Sequence, residues 1–365
     1  MTEPGGTEVM EKTILKNNIT SEAEKIVNIS IPLITDKNIV APSGDKRDFV
    51  CLSPYFWLVD GKLEQRDGQV NPATKEYSDA DKLTQVTANV YLTSLAAKQS
   101  EIPDDKEKFA SYAVSTLKAW FVNEDTRMTP SLEYVEMKQG ETDGTFYGII
   151  RGQMLSQMVE GIKSLRDSGS LDEQTKTGVE NWFRQYLGWL QNSPKGNQER
   201  AAQNNHGTFY DVQIAYIADF LGDEDLVRVT LEGVKKRVES QIEPDGKMPL
   251  EAARAIPYDY QLYNLYAYSE LATLGEKYAI DLWNWQSEDG RSLRKAFDYF
   301  KKQLDEVDNN PFKMDRAGEL YLAFRAASKA YGDKSSWDLP KRFYQNPLVD
   351  EITTLKFNEI PPENK

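Results

Sequence analysis

Residues Thr208–Gln241 read TFYDVQIAYIADFLGDEDLVRVTLEGVKKRVESQ. Apolar side chains recur at three- and four-residue spacing on both sides of Gly222-Asp223. The stretch therefore predicts two helices, 208–221 and 223–241, joined by a turn that permits only an antiparallel return. Asp167-Ser-Gly-Ser-Leu-Asp172 carries the same signature between predicted helices 148–167 and 172–191. Further helical periodicity covers 79–97, 104–121, 257–274, 291–304 and 316–331, with a short helix at 20–30, and strand signals are sparse. Helical hairpins in series form either a solenoid or a closed ring, and a repeat solenoid shows a fixed period. None is present, and short links alternate with long ones such as 243–256. The pattern predicts an all-α fold, an (α/α) toroid of roughly five to seven hairpins with inner helices facing a cleft. A single domain is expected over 20–340, with a flexible extension at 1–19 and a tail, 341–365, packed on the domain. Trp182 and Trp189, on an outer helix, should lie in packing between helices. Segments 42–78 and 122–147, rich in aromatic, Pro and Gly residues, read as ordered loops over the mouth of the cleft, since long loops of that kind in a compact domain are usually functional.

Composition narrows the function. Among 365 residues, 44 Lys and Arg stand against 58 Asp and Glu, a net charge of −14, which argues against nucleic-acid binding through phosphate neutralisation. Mean hydropathy is −0.62 and no apolar run reaches the roughly 18 residues of a membrane span. Cys51 is the sole cysteine and His206 the sole histidine, so neither a disulfide nor a Cys- or His-rich metal site is available. No cofactor or metal is expected.

His206 follows Asn204-Asn205 and precedes Gly207. Imidazole can serve as acid, base or cation near neutrality, and a neighbouring amide can hold a carboxylate without competing for its proton. Thr208-Phe-Tyr-Asp211 fits a capping box, which places the helix start at Thr208 with Asn205 and His206 just outside it. Pro257 suits the first position of the next inner helix, leaving Arg254 just ahead and Tyr260 in its first turn. Successive inner helices are parallel, so these four residues are expected to converge at one end, with two helix N-termini presented to the same anion. Singly, each has a structural alternative. Arg254 could pair with Glu251 or Asp259, and the tyrosines crowded at 258, 260, 263, 266 and 268 could be packing residues. Together, an amide, an imidazole, a guanidinium and a phenol suit β-elimination on a uronate: neutralise the carboxylate, remove the C5 proton and expel the 4-O-linked sugar.

Several motifs resemble one family. These are Ser43-Gly-Asp-Lys-Arg-Asp48, Ser53-Pro-Tyr-Phe-Trp57, Arg66-Asp-Gly-Gln-Val-Asn-Pro72, Thr126-Arg-Met-Thr-Pro130, Asn204-Asn-His-Gly-Thr-Phe-Tyr-Asp-Val-Gln213, Gln241-Ile-Glu-Pro-Asp-Gly246, Pro249-Leu-Glu-Ala-Ala-Arg254 and Asp281-Leu-Trp283. The chain is similar to the alginate-lyase-type polysaccharide lyases. The resemblance implies an (α/α) toroid and metal-independent lyase activity on an anionic polysaccharide such as alginate or glucuronan. It assigns Asn205, His206 and Arg254 to carboxylate neutralisation and Tyr260 to the proton and the leaving group. Lys46, Arg47, Tyr55, Trp57, Arg66, Arg127, Asn204 and Tyr258 become candidate substrate-binding residues. Arg47-Asp48-Phe49 and Leu58 depart from the commoner family pattern, which bears on the substrate more than on the reaction. A periplasmic or secreted protein with its leader removed is the expectation, with a cytoplasmic one the alternative.

Stereochemistry adds content. In β-1,4-linked mannuronate or glucuronate the C5 hydrogen and the 4-oxygen share a face, so Tyr260 could serve both; in guluronate they oppose, and His206 would take the proton. A free phenol titrates near ~10 and needs a cation such as Arg254 beside it to act as base. A glycoside hydrolase using Asp211 and Glu251 is the competing enzyme class, and a non-catalytic polyuronate-binding protein is a third reading.

Overall fold

The computed structural model describes residues 18–357, so residues 1–17 of the extension expected at 1–19, and the part of the tail beyond 357, lie outside the described residues. Two units emerge. One gathers Thr20–Ala201 with Tyr216–Asp223; the other gathers Ala202–Ala215 with the chain from Glu224 onward.

The first unit is built on α1 (Asp79–Gln99), α2 (Pro103–Leu117), α3 (Gln153–Asp167), α4 (Glu173–Asn192) and α5 (Pro194–Ala201). Helix α1 packs against both α2 and α3. Between α3 and α4 the chain reverses at Gly169, whose φ of 73° needs a residue without a Cβ. Asp172 then accepts from the amide of Thr175 at 2.9 Å and caps α4. The long loops carry short strands that periodicity did not reveal. β1 (Val50–Leu52) pairs in parallel with β4 (Tyr134–Met137), so the two loops are joined to each other. β2 (Phe56–Val59) and β3 (Lys62–Gln65) form a hairpin. It turns at Asp60-Gly61, both with positive φ, the Asp-Gly preference of tight hairpins. A buried ion pair of Lys37 with Asp79 anchors the first loop: Asp79 also accepts from Val50 N at 3.0 Å, and Lys37 donates to the Asp48 carbonyl at 2.6 Å. Burial pushes the Asp79 carboxyl up and the Lys37 ammonium down, each opposed by the partner's charge.

Trp182 is buried among Phe121, Phe183 and Tyr186, and its indole donates to the Met128 carbonyl at 2.6 Å. That matches the expected packing role. Trp189 is only half-buried, stacked on Tyr186 with its N–H on Glu133, so the expectation held for one tryptophan and not fully for the other.

The second unit contains α7 (Glu224–Gln241), α8 (Pro257–Lys277), α9 (Leu293–Asp305), α10 (Ala317–Tyr331) and α11 (Pro347–Phe357), together with the first part of α6 (Asn205–Leu221). Helix α11 lies within the tail expected to pack on the domain. The fully buried Arg325 holds it, donating to the Asp350 carbonyl at 2.8 Å and the Thr353 and Thr354 hydroxyls at 2.6 and 3.0 Å. Lys356 adds an ion pair to Glu270 at 3.0 Å. No described helix is long and apolar enough to cross a membrane.

Trp182→Ala removes a buried ring and a hydrogen bond to the second long loop. A loss of about 3–5 kcal/mol is expected, read as a lower urea midpoint.

Candidate active site

Helix α6 begins at Asn205, three residues before the start that the capping-box reading gave. The cap is Asn204: its side-chain oxygen accepts from His206 N at 3.3 Å, and its carbonyl accepts from Thr208 N at 3.3 Å. Asn205 and His206 thus stand in the first helical turn rather than outside it. Asp211 does not close a capping box either, because its carboxylate takes a two-point grip from Arg237, with Nη2 to Oδ1 at 3.0 Å. Arg237 also donates to the Ala202 carbonyl at 3.0 Å. A Cβ at Gly207 would fall 2.1 Å from that carbonyl and 2.3 Å from Arg237 Nη1, so the glycine after His206 makes room for the guanidinium.

Behind this turn sits the buried amide of Gln241. Its oxygen accepts from the Thr208 hydroxyl at 3.1 Å, Asn264 Nδ2 at 2.9 Å and the Tyr268 hydroxyl at 3.0 Å, while its nitrogen donates to the Asn204 carbonyl at 3.2 Å. One side chain therefore ties the start of α6 to α8, and burial pushes the Tyr268 phenol well up, keeping it a donor.

Glu251, in the single turn Pro249–Ala252, completes the frame. Its carboxylate accepts from Asn205 N at 2.6 Å and from Asn205 Nδ2 at 2.8 Å. Burial pushes this carboxyl up, opposed by the two Asn205 donors and electrostatically by Arg254 and His206. Arg254, three residues on, acts through its charge on the Glu251 carboxylate, one of the two that the sequence offered it. Its guanidinium carbon lies over the ring of Tyr260, 3.6 Å from the centroid, as a cation–π pair. Tyr260 is 7% exposed and lies in the first turn of α8, as expected from Pro257. Asp259 turns instead to the backbone amides of Lys313 and Met314, at 3.0 and 2.9 Å, and to Arg316 at 3.6 Å. Arg316 in turn rests 4.7 Å over the ring of Tyr263, one turn beyond Tyr260. Tyr258 packs against Phe300 with the rings tilted at 51° and their centroids 6.2 Å apart.

Asn204, Asn205, His206, Arg254, Tyr258 and Tyr260 thus share one unit, and Asn205, His206, Arg254 and Tyr260 are linked through Glu251 and the Arg–Tyr stack. Gln241 and Arg316 were not among the candidate residues. Gln241 was visible only as part of a motif, and Arg316 carried no signal in spacing. The loop candidates belong to the other unit. Arg47 forms a bidentate pair with Asp45, which holds that carboxyl below its usual range. Arg66 pairs with Glu64 at 2.7 Å and lies 4.8 Å over the Trp57 ring. Lys46 is exposed, while Tyr55 and Arg127 are half-buried. Among the described residues no group of three His, Cys, Asp or Glu side chains could hold a metal ion.

The family model for alginate lyase matches residues 33–311. The chain belongs to the alginate lyase family. It is accordingly a polysaccharide lyase. An alginate lyase from Bacteroides ovatus is similar over 94% of this chain and 92% of its own, at 28% identity and a TM-score of 0.84. Alginate lyase A1-III from Sphingomonas species A1 is similar over 91% and 92%, at 13% identity and a TM-score of 0.54. A variant of A1-III complexed with a tetrasaccharide is similar over 95% and 94%, at 14% identity and a TM-score of 0.58. The all-α fold class is that of the (α/α) toroid, as the helical hairpins led one to expect. No curated protein matched the sequence.

Membership in a lyase family leaves the hydrolase reading without support, and both carboxylates it needed are engaged, Asp211 with Arg237 and Glu251 with Asn205. Asp211→Asn should deprive the half-buried Arg237 of its carboxylate and cost about 1–3 kcal/mol of stability. Product formation per folded molecule should persist, as measured by combining thermal denaturation with steady-state assay.

Proposed function

We propose that the chain cleaves 4-O-linked uronate polymers by β-elimination, with mannuronate-rich alginate or glucuronan as the preferred substrate. The observation that carries this reading is the contact of Arg254 with the ring of Tyr260, together with the Asn205 amide held by Glu251, three residues before Arg254. Elimination needs the uronate carboxylate neutralised so that C5–H becomes acidic. Asn205 offers an amide N–H, His206 an imidazole and Arg254 a guanidinium, three donors of the kind that stabilise charge growing on a carboxylate as C5 loses its proton.

Tyr260 supplies the proton chemistry. As phenolate it takes the C5 hydrogen; the electron pair left behind moves to C4–C5, and the 4-oxygen leaves with the proton the phenol then returns. The tyrosine ends the cycle as it began, so one residue suffices when both groups lie on one sugar face. A cation over the ring stabilises the negative charge that a phenolate spreads into its ring, which is where Arg254 lies. For guluronate, with opposite-face geometry, His206 takes the proton. Support also comes from the alginate lyase of Bacteroides ovatus and from the tetrasaccharide complex of A1-III, whose names point to a polyuronate as the class of ligand. Asn204 and Tyr258 are proposed to flank the reacting sugar, and the cations Lys46, Arg47, Arg66 and Arg127 and the rings of Tyr55 and Trp57 to bind uronates of the polymer.

The test is the product. Incubation with polymannuronate, polyguluronate and glucuronan should yield an unsaturated uronide absorbing in the near ultraviolet, fastest with polymannuronate or glucuronan; saturated reducing ends alone would refute elimination. Tyr260→Phe should lower turnover by a factor of about 10²–10⁴ while oligosaccharide binding survives. Chelator treatment should leave turnover unchanged, because the amide, imidazole and guanidinium supply the positive field that a divalent ion otherwise provides.

A further inference from the structure

Glu251 takes no part in the proton chemistry just described, yet its carboxylate is 1% exposed and meets Asn205 twice. An ionised carboxylate only accepts hydrogen bonds. With Oε1 on the backbone N–H and Oε2 on Nδ2, the Asn205 amide has a single orientation, since a rotated amide would set its oxygen against Oε2. The second Nδ2 hydrogen is then left for another acceptor. The cost of this orientation is visible, because Asn205 Oδ1 is buried and has no hydrogen-bond partner among the described residues, an arrangement that is destabilising. Side-chain packing alone would leave the amide free to rotate and satisfy that oxygen. The Glu251 grip prevents it.

We propose that Glu251 is a positioning residue for uronate recognition: it locks the Asn205 amide as a donor and keeps its oxygen away from the substrate carboxylate. The inference rests on the lyase reading above. It also explains why an anionic group is tolerated beside a site for anions. The charge of Glu251 is opposed by Arg254 and His206, and in return the site gains an amide that cannot present its acceptor side to a carboxylate. If the charge of Glu251 merely repelled substrate, its removal would improve binding. If it positions Asn205, removal impairs turnover instead.

Glu251→Gln retains shape and can still accept from the Asn205 backbone, but its own NH2 then faces the Asn205 side chain and draws Oδ1 toward it. The expected result is a fall in kcat/KM on polymannuronate on the order of 10²-fold, the scale of a misplaced recognition group. Asn205→Ala should fall by a similar factor, and the double variant no further, since both changes remove the same oriented donor. Losses that multiply, or a Glu251→Gln variant with wild-type or improved kcat/KM, would overturn the proposal. Should that variant not fold, Asn205→Asp combined with Glu251→Gln exchanges acid and amide and keeps both the charge and the hydrogen bond between the two positions. The positioning role predicts that this swapped variant folds and is inactive; wild-type-like activity would overturn it. Wild-type protein that forms no unsaturated product from any of the polymers would refute the lyase reading itself, and the two failures are therefore distinguishable.

Discussion

The carboxylate of Glu251 clasps Asn205 by both its backbone and its side-chain N–H, and the rest of the site is arranged around that clasp. It joins the first turn of α6 to the short turn that leads through Arg254 into α8. It helps to fix the register of two helix starts that are distant in sequence. Gln241 secures the same start from behind, through Thr208 and the Asn204 carbonyl, and Arg237 secures it from the side, through Asp211 and Ala202. Each bond is a modest contribution to stability, about 1 kcal/mol net. Their combined effect is to leave the turn bearing Asn205 and His206 one conformation, and preorganised donors of this kind need no rearrangement as charge develops on a substrate.

A chain of net charge −14 still builds a local positive field. It does so by sorting its cations. Arg237 and Arg316 are matched by the buried carboxylates of Asp211 and Asp259, so they serve the frame. The guanidinium of Arg254 lies over the aromatic face of Tyr260, where the ring quadrupole helps to hold it, and its charge also acts on the Glu251 carboxylate.

Much of this was legible in the sequence, for physical reasons. Every long amphipathic helix appeared near its predicted limits, because burial of one face imposes the 3.6-residue period. Asn205, His206, Arg254 and Tyr260 were legible because Pro257 announces a helix start and the lone histidine stands beside an amide pair. The exact start of α6 was not. Thr208 looked like a cap, and only the distant Gln241 reveals why its hydroxyl is used elsewhere. The parallel pairing of β1 with β4 was equally hidden, since strands so short have no period and their partners lie far apart in sequence. Helices α5 and α11 were missed despite a usable signal. Each begins with proline preceded by a capping side chain, Ser193 on Gly196 N at 3.0 Å and Asn346 on Val349 N at 3.2 Å.

The central claim is that Asn205, His206 and Arg254 hold one uronate carboxylate while Tyr260 addresses C5 of the same sugar. The crystal structure of the Tyr260→Phe variant with a bound mannuronate tetramer tests it most directly. The account predicts one carboxylate within hydrogen-bond distance of Asn205 Nδ2, the His206 imidazole and the Arg254 guanidinium, with the ring at position 260 facing C5. A tetramer whose carboxylates all lie away from these three groups, or one whose glycosidic oxygen lies far from that ring, would contradict it.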